Sequence, residues 1–115
     1  MKIMTYESIR KGRGYWLLVS HDLSLRSKAK RKQAQEFKRG LVADGFDVIQ
    51  PSLYARFCAS AEVCATHQSR VCKSAPESSK TTFLRMTDLQ FKGIFRNGQH
   101  ALNPLPTSPN LVTIV

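Results

Sequence analysis

The segment YWLLVSHDL, residues 15–23, is the stretch around which the rest of the chain is organised. Tyr15 to Val19 is a short apolar run of aromatic and branched residues, the pattern of a strand covered on both faces. It breaks at Ser20, His21 and Asp22, three polar side chains where a strand would leave its sheet. A carboxylate at the tip of a buried strand is held on rigid backbone, the support that a functional group needs. The plainer reading is that Asp22 only terminates the strand, and the residues around it decide between the two.

Downstream, Ser24 or Ser27 can cap a helix running to about Asp44. Ala34, Phe37, Leu41 and Val42 form its apolar stripe, with Lys28, Lys30, Arg31, Lys32, Lys38 and Arg39 around it. Gly40 inside it costs about 1 kcal/mol relative to Ala, so the second half is the weaker. Gly45 suits a left-handed residue closing the helix. Phe46–Gln50 and Ser52–Phe57 then read as two strands, with Pro51 between them where a missing ladder donor is tolerable. Ser60 can cap a second helix to about Ser74, with Cys64, His67 and Val71 on its inward face. Pro76 and Ser78-Ser79 make a loop, Lys80–Thr87 is rich in strand formers, and Asp88–Phe91 suggests one short helical turn.

Upstream, residues 1–14 read as a loosely docked arm without the apolar core of a signal peptide. Residues 96–110, with Asn97-Gly98 and Pro104, Pro106 and Pro109, have the composition of a linker, and Leu111–Val115 is a last strand-like run. The chain therefore divides into an arm (1–14), a domain (15–95) and a linker with a terminal strand (96–115). The order strand, helix, strand, strand, helix, strand predicts an α+β, ferredoxin-like βαββαβ fold with an extra C-terminal strand. Helices on one face leave the other apolar face needing a partner, which predicts a homodimer. The terminal run can dock on the partner subunit by adding a strand to its sheet.

The 115 residues suit one domain, burying roughly 65% of the surface of the unfolded chain. Lys and Arg number 18 against 8 acidic residues, a formal charge of +10. Such an excess favours a polyanion, through counterion release from phosphates. Seven of the basic residues lie between positions 26 and 39, where only Glu36 offsets them, and no base-reading motif accompanies them. Sequence-independent phosphate contact is the natural expectation. No apolar run approaches the roughly 18 residues of a membrane span. Three cysteines without a CxxC pair suggest free thiols in a reducing cytoplasm.

From Leu18 to Thr87 the chain resembles CRISPR-associated protein two, the small partner of the spacer-acquisition integrase, and is most similar to the type II members. Asp22-Leu23 resembles the family's strand-ending Asp-Leu, and Arg31-Lys32, Phe37-Lys38-Arg39 and Leu41 its basic first helix. Asp44-Gly45-Phe46, then Gln50, Ser52, Tyr54 and Arg56, resemble its Gly-Phe and Gln-x-Ser-x-Tyr-x-Arg run. Met86-Thr87-Asp88 and Gln90-Phe91 are similar to a further family motif. The chain departs from the pattern at His21, where Tyr or Phe is usual, at Ser24, where Pro is common, and at Ala34 and Gly40, where bulky aromatics are usual.

The resemblance implies a cytoplasmic dimer that bridges integrase dimers and binds the duplex body of a new DNA spacer. It also implies a site at which two Asp22 side chains, one from each subunit, share a Mg²⁺ ion, associated in some members with ribonuclease or DNase activity. The ion takes one or two carboxylates, waters and phosphate oxygens. Asp22 is thus the catalytic and metal-binding candidate, against the reading of a vestigial carboxylate on a scaffold. The nucleic-acid candidates are Arg26, Lys28, Lys30, Arg31, Lys32, Lys38, Arg39 and Arg56. His21 has a near-neutral pKa suited to a general base, but along a strand it points opposite to Asp22, which favours a packed histidine. Cys58, Cys64, His67 and Cys72 lack the closely spaced pairs of structural zinc sites. A toxin-type ribonuclease and an RNA-binding domain that stacks bases on Tyr15, Tyr54 and Phe57 are the alternatives on the same fold.

Overall fold

The computed structural model describes residues 14–23, 25–77, 79–98 and 104–109. The arm and the terminal strand-like run expected from the sequence lie outside the described residues, apart from Gly14. The elements are β1 (Tyr15–Asp22), α1 (Lys28–Ala43), β2 (Asp47–Gln50), β3 (Leu53–Cys58), α2 (Ala61–Ser74), β4 (Lys80–Thr87) and α3 (Asp88–Lys92). One four-stranded sheet has the order β2-β3-β1-β4 with every neighbour antiparallel. This is the ferredoxin-like arrangement read from the sequence.

β1 is longer than its apolar run. Ser20, His21 and Asp22 stay in the sheet because each pairs across to β4, with Thr82, Thr81 and Lys80. Alternation sends Leu17 and Val19 into the core under the helices and Trp16 and Leu18 to the opposite face. The helix-side core also holds Phe37 and Leu41 of α1 and Cys64 and Val71 of α2. Buried side chains of that size contribute about 1.5–3 kcal/mol each.

Of the two candidate caps for α1, Ser27 holds the position and accepts from the Lys30 amide at 3.1 Å. The inward stripe is narrower than the sequence suggests: Phe37 and Leu41 are buried, whereas Val42 is 50% exposed. Position 42 follows Leu41 by one residue, a turn of about 100° away from the core. The helix closes with Gly45 at φ +91°, its amide bonded to the Val42 carbonyl and that of Phe46 to the Leu41 carbonyl. That is a Schellman closure, and it puts Phe46 into the core beside Leu41 rather than into β2. Ser60 caps α2 as expected, and Cys64, His67 and Val71 are its buried residues.

The outer face of the sheet is not bare. A capping box between Thr87 and Gln90 starts α3, which folds Phe91 flat onto Trp16, with ring centroids 4.1 Å apart. Phe57 meets the same indole edge-on, and Ile94 and Leu105 pack against this layer. Leu84, Leu89 and Phe95 remain solvent-exposed.

Candidate nucleic-acid interface

Asp22 is the last residue of β1 and is exposed. It continues the outer-face row of Trp16, Leu18 and Ser20, while His21 turns under α1, as alternation requires. The two residues therefore do not form a joint acid-base pair on one face. A single chain offers a cation one carboxylate here, and among the described residues no three His, Cys, Asp or Glu side chains cluster to hold a metal. The donor set fits Mg²⁺ only when two copies of Asp22 meet, which matches an ion that takes one or two carboxylates and otherwise waters and phosphate oxygens.

His21 lies with its ring stacked on Tyr54 and edge-on to Phe37, both at 5.3 Å between centroids. Burial pushes its pKa below the usual value, with the Asp22 carboxylate opposing. The backbone holds this corner closed, the His21 amide donating to the Ser52 carbonyl at 3.1 Å. Between the end of β1, the first half of α1 and the β2–β3 turn opens a cleft of about 410 Å³, with His21, Asp22, Arg31, Lys38, Ser52 and Tyr54 among its walls.

The basic candidates split. Arg26, Lys28, Lys30, Arg31, Lys32, Lys38 and Arg39 are all exposed along or just before α1. Glu36 is the sole acid among that helix's 16 residues. Arg31 also donates to the Leu25 carbonyl at 3.1 Å, which ties the segment before the helix to its first turns. Arg56 is half-buried, and its guanidinium donates to the carbonyls of Asp44 at 2.6 Å and Phe57 at 2.8 Å. The structure gives Arg56 the task of holding the turn after α1, away from the row of cations on the helix. The strand aromatics considered for base stacking are also engaged: Tyr54 is 2% exposed, Phe57 packs on Trp16 and Tyr15 packs against the helix-side core.

Two polar centres escaped the reading of the sequence. Asp44, the C-cap of α1, accepts from Arg70 at 2.6 Å and meets His67 Nδ1 at 2.7 Å, both on α2. Burial pushes its carboxyl up, but these hydrogen bonds and charges outweigh it and hold the pKa below the usual carboxylate value. Asp88, 1% exposed, accepts from the Trp16 indole at 2.7 Å and lies 3.2 Å from Lys92 Nζ. Lys92 is one helical turn from Asp88, but Trp16, His67 and Arg70 are all distant in sequence from the carboxylates they meet, so only the Asp44-Gly45-Phe46 and Thr87-Asp88 motifs hinted at these centres.

Comparison with curated proteins carries this fold and its motifs to a family. The CRISPR-associated endoribonuclease Cas2 of Flavobacterium psychrophilum is 41% identical over 86 residues, 75% of each chain. The chain belongs to the Cas2 family. A second relative, from Rhodospirillum rubrum and bearing the same name, is 38% identical over 78 residues, 68% of this chain and 70% of that one. The crystal structure of Streptococcus pyogenes Cas2 superposes with a TM-score of 0.56 at 18% identity, covering 72% of this chain and 99% of that one. This last likeness is one of fold alone. No protein-family model matches the chain. No helix among the described residues is long and apolar enough to cross a membrane.

Proposed function

We propose that this Cas2-family chain is a spacer-acquisition scaffold: a homodimer that bridges integrase dimers and holds duplex DNA through its phosphate backbone. The observation that carries the reading is the face of α1, where Lys28, Lys30, Arg31, Lys32, Lys38 and Arg39 stand exposed with one acid among them. Point charges spread along a helix, with no base-reading side chains beside them, bind phosphates without regard to sequence. Arg26 extends the row, and Arg56 supports it by fixing the turn that ends the helix.

Nuclease activity belongs beside this role, in keeping with the endoribonuclease name of the relatives. Asp22 of each subunit would hold Mg²⁺ in the dimer, and the bound ion would supply an activated water and neutralise charge at a phosphodiester. The chain's own part is to present the carboxylate on paired backbone, where Asp22 lies opposite Lys80 in the ladder.

The test is the salt dependence of duplex binding. Neutralising about six phosphates gives a slope of log affinity against log salt near −5. Changing Arg31, Lys32, Lys38 and Arg39 together to Ala removes four of those contacts, and the slope should relax to about −2. A slope that does not move places the DNA on another surface and removes the support for this reading.

A further inference from the structure

The helix-side core holds a pair of sulfurs that the binding of nucleic acid does not use. Cys58 is the last residue of β3 and Cys64 lies near the start of α2, six positions later in the chain. They are 1% and 0% exposed and belong to one core cluster. Both are free thiols, and their side chains are within hydrogen-bond reach of one another. A single buried cysteine is ordinarily a small apolar filler. Two in contact, with cations beside them, form a different arrangement.

The register of the sheet places Arg56 and Arg85 on either side of Leu17, on the face that also carries Cys58. The Cys64 S–H donates to the Cys58 sulfur, and the two guanidiniums add positive charge nearby. Together these outweigh burial and hold the Cys58 pKa below the ordinary thiol value. The same hydrogen bond, reinforced by burial, pushes Cys64 the other way. One sulfur is arranged as a nucleophile and its neighbour keeps its proton.

We propose that Cys58 and Cys64 form a reversible dithiol–disulfide couple that a hydroperoxide oxidises. The Cys58 thiolate attacks one peroxide oxygen, so that an S–O bond forms and the O–O bond breaks. The departing oxygen takes a proton and leaves as water, or as an alcohol from an organic hydroperoxide. Cys58 is oxidised by two electrons to a sulfenic acid and the peroxide is reduced by two. Cys64 then attacks the Cys58 sulfur. An S–S bond forms, the S–O bond breaks, and the oxygen leaves as water with the Cys64 proton. A small dithiol reverses the change by thiol–disulfide exchange.

Entry to this buried pair comes through the first turn of α2. That turn is held by the Ser60 hydroxyl, which accepts from the Val63 amide at 3.2 Å, and by the Ser60 carbonyl, which accepts from the Cys64 amide at 3.1 Å. Helix ends open locally at far lower cost than the whole domain unfolds. Opening lifts Cys64 away from Cys58, while Cys58, Arg56 and Arg85 stay on the sheet. The nucleophile therefore keeps its two cations as a molecule the size of hydrogen peroxide arrives.

The experiment treats the folded full chain with hydrogen peroxide, in a Cys72→Ser background that removes the exposed third thiol. The tryptic peptide from Phe57 to Arg70 contains both sulfurs, so mass mapping without reduction reads the bridge as that peptide lightened by two hydrogens. The expected result is complete conversion of the peptide, restored by dithiothreitol. Cys64→Ser leaves the sulfenic acid unresolved, and dimedone should label Cys58 in that variant. Ser60→Ala makes the first turn easier to open and should speed bridge formation about fivefold. A peptide that stays unchanged in the folded chain, while peroxide oxidises it in the urea-unfolded chain, would overturn the proposal. So would a peptide that gains oxygen without losing hydrogens. Bridge formation at a rate untouched by Ser60→Ala would refute entry through the first turn.

Discussion

Asp44 joins the two long helices through one carboxylate, which receives Arg70 and His67 of α2 while its own carbonyl receives Arg56 of β3. Its folded pKa is depressed below 3.8. The stability it contributes is therefore complete above that unfolded value and disappears as pH falls through the lower folded one. Asp44→Asn should cost about 1–2 kcal/mol at neutral pH, and the thermal midpoints of variant and parent should converge below pH 3.8. A gap that persists undiminished in acid would mean that shape, not charge, is what Asp44 provides. Asp22 is the opposite case, an exposed carboxylate whose loss should leave the fold alone. Asp22→Asn is expected to abolish Mg²⁺-dependent cleavage while the dimer, the duplex complex and the integrase pull-down survive. Removing a negative charge beside a polyanion should even tighten duplex binding slightly. Loss of the complex with an intact dimer would make the metal site central and end the scaffold reading.

At the scale of the element, α1 combines good ends with a weak middle. Ser27 caps its start and the Gly45 closure ends it, so its limits are set by local hydrogen bonds. Only Phe37 and Leu41 anchor it fully to the sheet. A Cβ added at Gly40 would meet nothing within 4 Å. Gly40→Ala should therefore raise stability by about 0.5–1 kcal/mol, through helix propensity alone. Chemical denaturation checks this, and a fall in stability would show that the exposed groove beside Gly40 closes in solution. In the proposed scaffold the same helix supplies the cations for DNA, and Gly40→Ala changes none of them, so this variant should bind duplex as the parent does.

For the whole molecule, the outer face of the sheet is where the proposed dimer is put to the test. One end is covered by α3 and Leu105, but Leu84, opposite Leu18 in the ladder, is 47% exposed, on the same face as Asp22. If two copies meet here, the two Asp22 side chains approach a shared axis, as the proposed Mg²⁺ site requires. Leu84→Arg puts a charge into that contact while leaving the fold intact, because the position is already half in water. The expected outcome is a shift from dimer to monomer in sedimentation at low micromolar concentration, with loss of any Mg²⁺-dependent cleavage. A dimer unaffected by the change would place the interface elsewhere and leave Asp22 single.

The sequence by itself determined the elements and their order. Lys80–Thr87 is a strand and Ser60 caps a helix with Cys64, His67 and Val71 inward, as alternation, helical spacing and a capping hydroxyl predict. These signals are legible because they involve residues within a few positions of one another. The family motifs likewise placed Asp22 at the end of the first strand, and the run of cations from Arg26 to Arg39 marked the exposed helix. Tertiary structure alone decided the polar pairs: Asp88 with Trp16 across 72 positions, Asp44 with His67 across 23, and Arg56 turned onto the Asp44 carbonyl. It alone buried the nitrogens of His21 without a hydrogen-bond partner among the described residues. A buried polar group takes whatever partner the closed chain brings to it, and no local pattern encodes which one that is.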